Sequence, residues 1–157
     1  MGSGTILDTA RLRYGLSEHF QVAQGNIHAY VFGEHGDTSF IPWTGAYISG
    51  LSTDEYYEEM KAHGKDVKPL DKEAMLEYVQ KSGGKVIAKK GATFYAVSAT
   101  VCQLVGLILA ASDSLATVSS MLHGEYGIED VCLSTLTLVG PNGIQGKVQM
   151  RMNLSLI

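Results

Sequence analysis

Three side chains stand out by type and spacing: Asp8, Arg11 and His35. Asp8 and Arg11 lie three residues apart, so a helix would present both on one face. Such a pair is ordinarily a surface ion pair of little consequence. An arginine can also grip a carboxylate through its planar fork, which lysine cannot do. His35 sits in Gly33-Glu34-His35-Gly36-Asp37, directly after a run of strand-forming residues. Flanking glycines let the backbone turn sharply and expose the imidazole. A histidine that moves protons needs a carboxylate behind it to orient the ring and stabilise the imidazolium. Asp8, Glu34 and Asp37 all qualify, and spacing leaves the choice open.

The elements that must position these groups can be sketched from patterning. A helix is expected over residues 5–14, with Thr5 as N-cap and Asp8 completing a variant capping box. Gly15 should interrupt it, with Leu16 to Phe20 adding another turn. After a turn at Gln24-Gly25-Asn26, Ile27 to Phe32 reads as a strand, and Ala46 to Ser49 as a short one. Ser52 should cap a helix to about His63, and Asp71 should start one to about Gln80. Gly83-Gly84 would break or bend that helix before Lys85 to Lys90. Thr93 to Ala111 forms a long apolar helix. Strands are expected at Ala116 to Leu122, Val131 to Val139 and Lys147 to Met152. Turns at Tyr126-Gly127 and Pro141-Asn142-Gly143 would join them as an antiparallel meander. Helices and strands in blocks indicate an α+β fold, with helices packed on an antiparallel or mixed sheet.

Composition narrows the class. At 157 residues the chain is one domain, or half of a two-domain protein. A net charge of −4 argues against nucleic acid or an anionic membrane as the main partner. Cys102 and Cys132 form no CxxC motif, so reduced thiols in a cytoplasmic setting fit better than a disulfide scaffold or a zinc site. No P-loop, HExxH or His/Cys cluster is present, so no metal is expected. Gly91 to Ser112 lacks charge but mixes Thr93, Ser98, Thr100 and Gln103 with its apolar residues, which suits a buried core helix better than a membrane span. Gly2-Ser3-Gly4 resembles the start of a dinucleotide fingerprint. Leu7 stands where the third glycine belongs, and no strand precedes it.

Gly-Thr-Ile-Leu-Asp-Thr-Ala-Arg-Leu-Arg (4–13), followed by Asn-Ile-His-Ala-Tyr-Val-Phe-Gly-Glu-His-Gly-Asp-Thr (26–38), resembles the L-lactate dehydrogenase family. Lys90-Gly91-Ala92-Thr93 and the stretch from Leu133-Ser134 to Gly143 also resemble later parts of that family's chain, so the likeness extends over essentially all residues. The resemblance implies the C-terminal, substrate-binding domain of a lactate/malate dehydrogenase. It makes His35 the catalytic proton donor to the pyruvate carbonyl and Asp8 its partner. Arg11 becomes the clamp on the substrate carboxylate, and Thr93 a residue that sizes the pocket, or an N-cap, or both. Glu34 with Thr93 tilts the substrate toward lactate and away from malate. Arg13 and His28 match positions that, in bacterial enzymes of this family, bind the phosphates of fructose 1,6-bisphosphate across a subunit interface. The cofactor implied is NAD, the assembly a homotetramer, and the location cytoplasmic.

Set against the family pattern, residues 1–157 lack a Rossmann domain, the mobile loop with its carbonyl-polarising arginine, and the final helix; Asn153 to Ile157 reads as the exit of the last strand. The chain is therefore expected to be a fragment with exposed apolar surface and negligible turnover by itself. Two other readings stand beside this one. They are a domain of another L-2-hydroxy acid dehydrogenase, such as a malate dehydrogenase, and a non-catalytic oligomerisation or effector-binding module.

Overall fold

The computed structural model describes residues 1–151. A buried stripe runs down α1 (Gly4–Phe20), where Thr5, Asp8, Thr9, Leu12, Leu16 and Phe20 recur at helical spacing. Gly15 does not interrupt this helix, because its bare Cα lets Met75 and Tyr78 pack close. Ser3 is the N-cap, without a side-chain hydrogen bond. Thr5 is not the cap: its hydroxyl is buried and donates to the Thr117 carbonyl at 3.0 Å.

The expected strand over residues 27–32 shrinks to β1 (Ile27–His28). It pairs antiparallel with β2 (Tyr47–Ile48), which pairs with β3 (Leu51–Ser52). Phe32 and Gly33 instead make isolated bridges, to Phe40 and to Ser134. Ser52 caps α2 (Thr53–Ala62) in a complete capping box with Glu55, as its position suggests. The cap's donors hold the Glu55 carboxyl below its ordinary range. Asp71 caps α3 (Lys72–Lys90), which passes unbroken through Gly83-Gly84.

Then α4 (Tyr95–Leu109) precedes the second sheet, β4 (Ser114–His123), β5 (Glu129–Gly140) and β6 (Gly143–Lys147), an antiparallel meander. The third strand thus begins at Gly143 and has ended where the sequence pattern would start it. Met152 and the expected exit of the last strand, Asn153 to Ile157, lie outside the described residues.

Two cores form. Leu12, Leu16 and Phe20 of α1 pack with Ile27, Ala29, Val31, Ile48 and Val79. Ile6, at the other end of α1, packs with Leu104, Ala116, Val118 and Val139. A single helix therefore joins both cores. By contrast, α4 buries only Thr100 and Leu104. Val97, Val101 and Val105 are exposed, as are Tyr95 (80%) and Leu109 (79%). The expectation of a buried core helix at Thr93 to Ala111 fails here, since periodicity identifies a helix but not what covers it. Among the described residues no helix is long and apolar enough to cross a membrane.

Polar bonds pin α1 to the strands around it. The Thr9 hydroxyl accepts from the Val31 amide at 3.0 Å and pairs with the Thr117 hydroxyl at 3.1 Å. Both contacts are buried, so deleting the oxygen strands a donor away from water. Thr9→Val should cost about 1–3 kcal/mol of stability. A urea midpoint unchanged from the parent chain would show that these bonds add nothing. Ser52→Ala should cost about 1 kcal/mol through the lost N-cap, read in the same titration.

Candidate active site

Asp8 faces inward from α1, and its side chain is 4% exposed. A carboxylate buried this deeply is costly unless its oxygens are paired. Both are. Oδ2 lies 2.6 Å from Nδ1 of His35, and Oδ1 accepts from Nη1 of Arg11 at 3.0 Å. Of the three acids that spacing left open, the structure selects Asp8. Glu34 accepts from the Thr38 hydroxyl at 2.8 Å, and Asp37 offers its backbone carbonyl to Gln80 Nε2.

Because a carboxylate only accepts, Nδ1 of His35 carries the proton in this pair. The ring's other nitrogen, Nε2, is then free to face a bound molecule. The His35 side chain is 51% exposed, so it can reach one. Arg11 is 15% exposed and makes no other hydrogen bond among the described residues. Its remaining donors are available to an anion.

Asp8, Arg11 and His35 line one cleft of about 200 Å³ together with Leu7, Gly36, Gln80, Gly83, Gly84, Ile87 and Thr93. Thr93 thus joins the three charged groups, as the sequence resemblance implies. It is not a helix cap: Phe94 holds that position on α4, without a side-chain bond.

The α3 wall of this cleft was not anticipated. Gln80, Gly83, Gly84 and Ile87 follow the i, i+3, i+4, i+7 pattern of one helix face. That spacing was present in the sequence, but Gly83-Gly84 reads more readily as a break. In the structure the Gly83 position is where α3 comes close to the Arg11 guanidinium; a Cβ there would sit 3.5 Å from Nη2. Gln80 also donates to the Asp37 and Ser39 carbonyls at 2.9 and 3.0 Å, tying α3 to the histidine loop.

Arg13 and His28 lie outside this cleft lining. Arg13 Nε donates to the Ala29 carbonyl at 3.1 Å, and its guanidinium stands 5.2 Å from the centre of the Tyr30 ring. His28 is exposed on β1, opposite Tyr47. Arg13 therefore reaches the residue next to His28. No group of three or more His, Cys, Asp or Glu side chains suited to a metal occurs among the described residues.

Comparison with known proteins identifies the fold and the family. The family described as lactate/malate dehydrogenase, alpha/beta C-terminal domain, matches residues 5–155. An L-lactate dehydrogenase of Acetivibrio thermocellus is 44% identical over 98% of this chain and 47% of its own length. L-lactate dehydrogenase 1 of Clostridium acetobutylicum is 42% identical over 98% of this chain and 48% of its own. The solved structure of an L-lactate dehydrogenase from Clostridium thermocellum superposes with a TM-score of 0.85 at 34% identity, covering 99% of this chain and 49% of that one. A malate dehydrogenase from Salinibacter ruber shares the fold, with a TM-score of 0.85 at 21% identity. The chain spans about half the length of the curated relatives it matches. By this match over almost its whole length, the chain belongs to the lactate/malate dehydrogenase family, as its α/β C-terminal domain.

Proposed function

We propose that this chain supplies the substrate-binding and proton-transfer half of an NAD-dependent L-lactate dehydrogenase. The observation that carries the reading is the Asp8 carboxylate, bonded at once to His35 and Arg11 beside a small cleft. A 2-keto acid placed there would set its carboxylate on the free Arg11 donors and its carbonyl oxygen toward His35 Nε2. His35 would give its proton to that oxygen in reduction and recover it from the alcohol in oxidation. Asp8 would keep the ring in place and offset the imidazolium charge.

Leu7 and Ile87 on the cleft lining suit the methyl group of pyruvate. Arg11 is the one arginine or lysine among the described lining residues, so with Arg11 on the first carboxylate and His35 on the carbonyl, a second carboxylate, as in oxaloacetate, would find no cation of its own there. NADH would supply the hydride. No described residue is assigned to the dinucleotide. Gly2 is bridged to Ser119 of β4, and Gly4 opens α1. We assign NAD to a unit beyond residues 1–157, consistent with relatives twice as long.

Arg13 and His28 support a second element of the reading, an effector site for a sugar bisphosphate such as fructose 1,6-bisphosphate. An arginine bonded to the residue that follows an exposed histidine offers two groups of the type that suit a phosphate dianion. A cytoplasmic homotetramer, which the sequence resemblance implies, completes the proposal.

The direct test grafts this chain onto the relative's other half, in place of the matching region of the Acetivibrio thermocellus enzyme. The chimera should oxidise NADH with pyruvate far faster than with oxaloacetate. His35→Ala should lower its kcat by about 10²–10⁴-fold. Arg11→Lys should raise the KM for pyruvate, because the bidentate fork is lost. A folded chimera inactive with both acids would overturn the reading, and a preference for oxaloacetate would move it to malate. Fructose 1,6-bisphosphate should lower the KM for pyruvate, and Arg13→Gln with His28→Gln should abolish that response. Absence of any response in the parent chimera removes the effector site alone. In the 157-residue chain, Asp8→Asn should turn the fixed Nδ1–H form of His35 into a tautomer mixture, seen in imidazole ¹H–¹⁵N spectra. An unchanged spectrum would mean that another group orients the ring.

A further inference from the structure

Gly4 is the first residue of α1, and its φ is not positive. An alanine would fit that backbone without strain and would favour the helix. The demand for glycine comes from elsewhere. A Cβ on residue 4 would stand 2.3 Å from His35 Cγ and 2.5 Å from both His35 Cβ and Cδ2. Carbon atoms in ordinary contact sit about 3.5–4.0 Å apart. We propose that Gly4 is a positioning residue for His35. Its bare Cα forms the surface against which the stem and ring of the histidine rest, and this holds Nδ1 on Asp8.

The clash cannot be relieved by the side chain alone. Rotation about χ1 moves Cγ and Cδ2 but leaves Cβ where it is. The loop backbone would have to move, and it is tied down. Gly33 exchanges backbone hydrogen bonds with Ser134 at 3.0 and 2.9 Å, and Gln80 holds the Asp37 carbonyl. The start of α1 is tied as firmly. Gly2 exchanges two 2.9 Å bonds with Ser119, and Thr5 donates to Thr117. Ser119 and Ser134 are themselves a paired rung of β4 and β5. Both sides of the Gly4–His35 contact are thus anchored to one hairpin. Any retreat of the imidazole must draw Nδ1 away from its 2.6 Å contact with Asp8. The glycine that resembles part of a dinucleotide loop serves the histidine instead.

This inference rests on His35 as the proton donor for its functional meaning, but its geometry is tested without turnover. Gly4→Ala is compared in the 157-residue chain with Gly106→Ala, a helical glycine with no atom within 4 Å of the added methyl. In Gly4→Ala the fixed Nδ1–H signal of His35 should be lost while the helical circular dichroism is kept. Gly106→Ala should keep both. A folded Gly4→Ala chain with the parent's His35 signal would overturn the proposal. Should Gly4→Ala fail to fold, pairing it with His35→Gly should restore folding, because the clashing atoms are gone. Failure of the double variant where His35→Gly alone folds would also overturn it. In the chimera, Gly4→Ala should lower kcat at least tenfold with little change in the KM for pyruvate, since Arg11 is untouched. Loss confined to KM would count against the proposal. If the parent chimera is inactive while the spectra change as expected, the functional reading falls and the positioning role stands.

Discussion

The site depends on one buried carboxylate. Asp8 lies on the inner face of α1, where an unpaired charge would be strongly destabilising. Its two oxygens are divided between a histidine on a loop and an arginine one turn further along its own helix. The same pairing that makes the burial tolerable also fixes the ring's protonated nitrogen and places a cation beside it. Stability and chemistry therefore rest on the same two bonds. Removing either partner would leave the other arrangement without its reason.

The surrounding fold holds these groups in register. Along α1, the aliphatic stripe seals one core at Leu12, Leu16 and Phe20 and touches the second at Ile6. Each large side chain buried there contributes about 1.5–3 kcal/mol. Threonines at positions 5, 9 and 117 add direction to that non-directional force, because their hydroxyls bond only in one alignment of helix and strand. The β4–β5 hairpin then acts as a common ruler. It bridges to Gly2 before the helix and to Gly33 before the histidine. Segments far apart in sequence are thereby measured from one rung.

The third wall, α3, shows how glycine acts by absence. Gly83 brings the helix backbone toward the arginine, and Gly84 opens the cleft beside it. Neither residue has the positive φ that would mark a turn, so the helix continues through both. Here the local cost of glycine in a helix, about 1 kcal/mol relative to alanine, is accepted for the space it leaves.

Much of the site was legible in the sequence. Asp8, Arg11, His35 and Thr93 were marked by spacing, flanking glycines and family resemblance, and all four line one cleft. Helix positions were legible too, because caps such as Ser52 and Asp71 act within a few residues. The sequence by itself therefore determined the family, the element types and the identity of the chemical groups. It could not choose among Asp8, Glu34 and Asp37, foresee that α3 passes through Gly83-Gly84 as a cleft wall, or see that α4 lies exposed. Those outcomes are set by contacts between residues remote along the chain, whose energies appear only once helices and strands are packed. Local spacing encodes what a segment can become; tertiary packing decides which carboxylate meets the histidine, because it brings the buried Asp8 against His35 as well as Arg11.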